Sequence, residues 1–178
     1  MALFLIPLVL GVIDLGMGLY TQMEVGNSAR AGAEYATYCK CADDAQIAPV
    51  VVTTITTAEQ SATDIGLQVV AHTAQFCGCN NTAGTISMTF SDGSSTTVDG
   101  LSLASGGNAG PFVDPVLNVT NLPSCDVEGT ALCADGNAPG TYVTVTASYP
   151  YTPFLPYPGI VPASGTMTLS ATATSRIY

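Results

Sequence analysis

The first twenty positions, MALFLIPLVLGVIDLGMGLY, carry a single charge, Asp14, and are otherwise apolar or glycine but for the closing tyrosine. A run of that length matches the roughly 20 residues a helix needs to cross a bilayer core. The pattern then changes without stopping. Over TQMEVGNSARAGAEYATY, the residues Tyr20, Met23, Asn27, Arg30, Glu34 and Tyr38 mark successive helical turns, with Gly26, Ala29, Ala33 and Ala36 set among them. The spacing predicts one helix over residues 1–38, apolar all round in its first half and amphipathic in its second. At 1.5 Å per residue it makes a rod of roughly 55 Å. Its first half needs lipid or copies of itself as cover, whereas its second half can be covered by its own domain. A secretory signal peptide would show a basic start, a shorter apolar core and a small-residue cleavage site; none is present. Pro7, Gly11, Gly16 and Gly18 weaken the helix where it is most apolar. The three glycines also permit close helix approach, although G-x-x-x-G spacing is not met.

After Cys39-Lys40-Cys41, Asp43 and Asp44 suit the start of a second helix, against the resistance of Pro49 and the β-branched residues 50–57. From Ile65 onward the period shifts to two, and short strands are predicted at 65–76, 84–90, 141–149 and 165–176. The last two alternate most regularly: Tyr142, Thr144 and Thr146 against Val143, Val145 and Ala147, then Met167, Leu169, Ala171 and Ala173 on one side. Residues 91–140, rich in Gly, Ser, Asn, Asp and Pro and holding two cysteines, read as a long surface loop stapled by a disulfide. The segment PYTPFLPYPGIVP, with prolines at 150, 153, 156, 158 and 162, is expected to be an extended connection between strands. The fold class predicted is α+β, a long N-terminal helix packed on a small antiparallel β-sheet with disulfide-braced loops. Residues 1–38 form the helix and 39–178 an exported β-rich globular domain.

Charge narrows the partners. Arg30, Lys40 and Arg176 stand against thirteen acidic residues, a formal net charge of −10. Nucleic-acid binding works by basic side chains displacing counterions, so that partner is excluded, and anionic lipid headgroups are disfavoured for the same reason. Only 9% of residues are charged, against about a quarter in ordinary domains. Cys39, Cys41, Cys77, Cys79, Cys125 and Cys133 are even in number, which in an exported chain points to disulfides. Both close pairs are C-x-C and His72 is the only histidine, which argues against zinc; no C-x-x-C-H occurs, which argues against haem. Six cysteines allow fifteen pairings. Cys77 and Cys79 join Cys125 and Cys133, or one C-x-C partners the other.

Asp14 is the residue most out of place, because a carboxylate in an apolar helix costs several kcal/mol unless paired or neutralised. A neighbour's N-terminal amine, a backbone group or a hydroxyl would answer it; protonation or a place at headgroup level is the plainer alternative. His72 with scattered Ser and Asp could suggest a hydrolase, but no G-x-S-x-G elbow is present and His72 falls in a predicted strand. Asp126, Glu128 and Asp135 lack the spacing of an EF-hand loop. Tyr149, Tyr151, Phe154 and Tyr157 form either an adhesive face or a cover over a sheet edge or a neighbouring subunit. Asn80 and Asn118 head N-glycosylation sequons. No cofactor, no metal and no catalytic residue is expected.

Several segments together resemble the TadE-like family, the pilin-related proteins of tight-adherence pilus systems. Pro7, Asp14 followed by Leu15-Gly16, and the cluster Asn27, Ala29-Arg30 and Gly32-Ala33 carry the likeness in the helix. FCGC at 76–79, ADGNAPGTYVTVTASYPYTPFLPYPG and TLSATATSRI are similar to the C-terminal half of longer members. The resemblance covers roughly residues 3–40, 75–80 and 133–177. It implies a pilin-like role: insertion by the general secretion route, trimming by a prepilin peptidase, and withdrawal from the inner membrane by pilus assembly machinery into a helical homopolymer of identical subunits. Pro7, Gly11, Asp14, Gly16, Gly18 and Tyr20 are then the expected assembly residues. The family's basic leader, processing glycine and early glutamate have no counterpart here, and Leu5 stands at the fifth position. Either the leader lies outside this sequence or Met1 is itself a trimmed terminus. The leading function is a structural, non-enzymatic subunit of an extracellular filament. The alternatives are a minor pseudopilin that primes or caps a pilus, and a monomeric membrane-tethered binding module.

Overall fold

The computed structural model describes residues 2–39, 70–106, 109–113, 125, 132–154 and 165–177. Helix α1 (Ala2–Cys39) runs unbroken for 38 residues and carries Pro7 within it. Its second half is divided as the periodicity predicts. Val25, Ala29, Ala33 and Ala36 are at most 4% exposed, while Tyr20, Met23, Asn27, Arg30, Glu34 and Tyr38 face outward. Alanine on the covered side lets the helix axis lie close to the sheet. Ser28, also buried, donates its hydroxyl to the Glu24 carbonyl at 2.8 Å, which satisfies the group locally.

Five strands follow: β1 (Val70–Thr89), β2 (Ser95–Leu103), β3 (Phe112–Val113), β4 (Gly140–Tyr151) and β5 (Met167–Arg176). They form one antiparallel sheet in the order β2-β1-β4-β5, with β3 beside β1. Helix α1 packs on β4 and β5. On that face Val143, Val145 and Ala147 are fully buried against the helix alanines, flanked by Ala71, Tyr149, Ala171, Ala173 and Ile177. The opposite face builds a second core from Ala74, Phe76, Ile86, Met88, Phe90, Val98 and Leu101, with the Phe76 and Tyr142 rings stacked at 5.7 Å. Burial of both faces requires the sheet to curl. The outer strands meet where the Thr96 and Thr172 hydroxyls lie 2.8 Å apart. Sheet twist and a bulge between Asn80 and Thr85 produce the bend. At Gly84 the fold leaves no room for a side chain, since a Cβ there would stand 2.5 Å from the Leu101 carbonyl oxygen.

The α+β class and the helix-on-sheet arrangement stand as predicted, with three corrections. The strands expected at 65–76 and 84–90 are parts of one strand, Val70–Thr89, residues 65–69 lying outside the described set. The glycine, cysteines and asparagines at 77–81 imitate a turn, but β4 pairs Cys77 and Gly78 and β2 takes over at Gly78, Cys79 and Asn80, which keeps the strand running into the bulge. The stretch 91–140 is not all loop, because it contains β2 and β3. The open face of β2 shows Thr97 and Asp99 to solvent, and those polar residues hid the alternation that buries Val98. Finally, Pro150 and Tyr151 belong to β4, paired with Thr168 and Met167. Among the described residues, β1 pairing runs as far as Ser148. The second helix expected after Cys41 lies outside the described residues.

Candidate assembly site on the helix and the sheet tip

Asp14 is 2% exposed, although it sits in the most apolar part of the chain. Strand β4 runs on to Tyr151 and places that residue over it. The Tyr151 hydroxyl donates to Asp14 Oδ1 at 2.7 Å and lies 3.0 Å from the Asp14 carbonyl oxygen. One turn on, Gly18 leaves space for the Tyr151 ring, which a Cβ at that position would meet at 3.6 Å. Two further polar contacts fix the helix along the sheet: Gln22 Nε2 donates to the Ser170 carbonyl at 3.0 Å, and Ser175 Oγ donates to the Ala33 carbonyl at 2.9 Å. Asp14, Gly18, Gln22, Val25, Ala29, Ala33 and Ala36 fall at intervals of three or four, which places them on one helix face. That stripe starts inside the segment read as apolar all round. Its spacing was visible in the sequence; what hid it was that a glycine and a carboxylate are not hydrophobic signals.

The rest of the first half is uncovered. Eleven large apolar side chains between residues 5 and 23, Leu5, Val12, Leu15, Leu19 and Met23 among them, are 45–65% exposed. Full burial of each is worth ~1.5–3 kcal/mol, so covering the exposed half of that surface is worth on the order of 10 kcal/mol. The whole stability of a domain is about 5–15 kcal/mol. By length and composition the helix can cross a membrane. Between it and the sheet tip lies an apolar groove of about 490 Å³, walled by Pro7, Gly11, Leu15 and Gly18 on one side and Tyr151, Pro153, Met167 and Leu169 on the other.

The fold therefore brings Pro7, Gly11, Asp14 and Gly18 together on the groove side. Gly16 and Tyr20 lie apart from them: a Cβ at Gly16 would meet nothing within 4 Å, and Tyr20 is exposed. Asp14 takes its partner from its own chain, where the sequence pointed to a neighbouring subunit, and nothing local in the sequence marked Tyr151 as that partner. Of the other aromatics, Tyr149 packs against the helix-side core, Phe154 is 75% exposed, and Tyr157 lies outside the described residues.

At the opposite end, Cys77 bonds Cys125 and Cys79 bonds Cys133, with Cα separations of 5.5 and 5.6 Å. The C-x-C of β1 thus holds two separate points of the later chain, helped by a bridge between Ser105 and Leu132. The side chain of Cys39, all of Cys41 and Asn118 lie outside the described residues, as do Asp126 and Glu128; Asn80 is exposed on β1.

His72 Nε2 lies 2.9 Å from Asp92 Oδ2, and its ring stacks on Phe90 at 4.9 Å. Ser94 donates its hydroxyl to Asp92 Oδ1 at 2.6 Å and its backbone N–H to the same atom. A nucleophilic serine must reach the imidazole; here it reaches the carboxylate. The trio clasps the β1–β2 turn to the base of β1. The Ser94 hydroxyl and N–H, followed by His72, hold the Asp92 carboxyl below its usual pKa. Asp135 is lowered likewise by the side-chain and backbone N–H groups of Asn137. Among the described residues, no group of three or more His, Cys, Asp or Glu is placed to hold a metal ion.

The family model described as TadE-like protein matches residues 1–34, which is the helix almost alone. No curated protein and no solved structure matches the chain.

Proposed function

We propose that the chain is the structural subunit of an extracellular type IV pilus-like filament, held in the inner membrane by α1 before assembly and by identical subunits afterwards. The carrying observation is the contrast within one helix. Val25, Ala29, Ala33 and Ala36 are covered by the subunit's own sheet, while the large apolar side chains from Leu5 to Met23 stand 36–65% exposed. Such a helix is incomplete as a soluble element; lipid and neighbouring helices are the two covers that fit it. The TadE-like match over that helix supports a pilus context for it. In this reading residues 1–38 serve association and 39–178 form the exposed subunit surface, with the Asp14–Tyr151 contact setting the angle at which one is presented to the other. The disulfides suit an oxidising compartment. The subunit performs no chemistry.

The test is electron microscopy of material sheared from cells expressing the chain, with mass spectrometry of its main band. Filaments built mainly of this chain are expected. A trace of the chain beside a more abundant subunit would assign it a priming or capping role instead. Recovery solely as a membrane-held monomer, with no filaments, would overturn the proposal.

A further inference from the structure

The β4–β5 tip and the apolar half of α1 occupy the same height. The tip touches the helix at Asp14, Gly18 and Gln22, and on the outward side of that stretch Ile13, Tyr20 and Met23 are 50–61% exposed. The first charged residue after Asp14 is Glu24. The nine steps from Asp14 to Met23 span about 14 Å of helix axis. One side of a helix cannot lie in hydrocarbon while a sheet tip bound to its other side, at the same level, remains in bulk water. If α1 is immersed to its polar boundary, the tip is immersed with it.

The tip is built for that medium. No charged residue occurs between Asp135 and Arg176, a stretch of forty residues, and Arg176 is at the far end of β5. Backbone groups in a bilayer need internal partners. The β4–β5 ladder supplies them along the facing edges of the two strands as far as the Tyr151–Met167 pair, while Pro150 and Pro153 have no N–H to satisfy. Phe154 is 75% exposed, as an aromatic anchor at a membrane interface is. The groove between tip and helix, about 490 Å³, is within the ~300–1,000 Å³ range of sites that enclose a ligand.

We infer that the β4–β5 tip is a lipid-binding surface, which enters the bilayer beside α1 so that a phospholipid acyl chain fills the groove. This rests on the membrane-held stage of the proposed function. The groove wall is the apolar helix itself, so the surface is continuous with the one lipid already covers. The inference assigns the sheet domain, and not the helix alone, a direct hold on the membrane.

The chain contains no tryptophan, so single probes can be placed without background. Phe154→Trp, Leu19→Trp and Ala134→Trp put one on the tip, one on the helix and one beside Cys133 at the other end of the sheet. Each full-length variant is reconstituted at high lipid excess into phosphatidylcholine vesicles whose acyl chains carry bromine, a contact quencher. F154W is expected to lose its emission as completely as L19W, and A134W to keep it. F154W that stays as bright as A134W while L19W is quenched would overturn the inference and leave the membrane helix standing. L19W that also stays bright would overturn both. Protection of F154W that is relieved on further dilution into lipid would give the tip surface to a second copy, which also overturns the inference.

Discussion

Replacing Tyr151 with phenylalanine tests the Asp14 contact at nearly constant volume. The substitution removes one hydroxyl, and with it the donor 2.7 Å from a carboxylate oxygen that is 2% exposed. Taking a donor from a buried acceptor costs up to about 1–3 kcal/mol, whereas removing both groups of the pair can be nearly neutral. Tyr151→Phe should therefore destabilise by about 1–3 kcal/mol. Asp14→Ala should cost less, because the tyrosine hydroxyl keeps the Asp14 carbonyl oxygen at 3.0 Å. The double variant Asp14→Ala/Tyr151→Phe should recover to within ~1 kcal/mol of the parent. The order is the decisive result: removing a second group should restore stability. The assay is urea unfolding in detergent micelles with disulfides intact, followed by tyrosine near-ultraviolet circular dichroism. Independent sites add within about 0.3–0.5 kcal/mol. If the double variant loses the sum of the two single losses within that margin, the carboxyl and hydroxyl are not a coupled pair, and the account of how α1 is set on the sheet fails.

Three further outcomes follow from other parts of the fold. The Cys77–Cys125 and Cys79–Cys133 bonds close loops of 48 and 54 residues, each worth ~4 kcal/mol in chain entropy alone, but with one in place the other closes only about ten residues, ~3 kcal/mol. Serine pairs removing either bond should thus cost ~3 kcal/mol and both together ~7 kcal/mol; equal steps in denaturant midpoint would contradict the interleaved arrangement. Gly84→Ala must displace the Leu101 backbone and should cost about 1–3 kcal/mol by thermal unfolding, while Gly16→Ala, with open space around it, should cost nothing; equal melting temperatures would refute the close approach. The Asp92 carboxyl is held below 3.8 by Ser94 and His72, so its contribution is fully present above that value and is lost as pH falls through the lower folded-state pKa. Carboxyl NMR should find that depressed titration with faster Ser94 amide exchange at its acid end, and a midpoint at or above 3.8 would remove the clasp.

What was legible in the chain alone was whatever repeats locally. The α1 segment declared itself by a turn-by-turn pattern, including the change from uncovered to covered faces, and β4 and β5 by strict alternation. The oxidised use of the cysteines followed from their number and the exported composition. The regions misread are those where residue type and neighbours disagree. Residues 77–81 look like a turn, and are strand because β4 pairs Cys77 and Gly78 and β2 takes over from Gly78 to Asn80; Thr97 and Asp99 look like loop, and are the wet side of β2.

Tertiary structure decided the rest. It selected one partner set for Cys77 and Cys79 from the two left open, curled the sheet until Thr96 met Thr172, and placed Tyr151 on Asp14 across 137 positions. None of these has a local signature, because each depends on the distance between groups far apart in the chain, which only the packed arrangement of α1, β1, β4 and β5 determines. Asp14 shows the division most plainly. Its sequence position states that a carboxyl in an apolar helix needs a partner, since burying it unpaired is too costly; only the course of β4 along α1 decides that the partner is a tyrosine of the same chain.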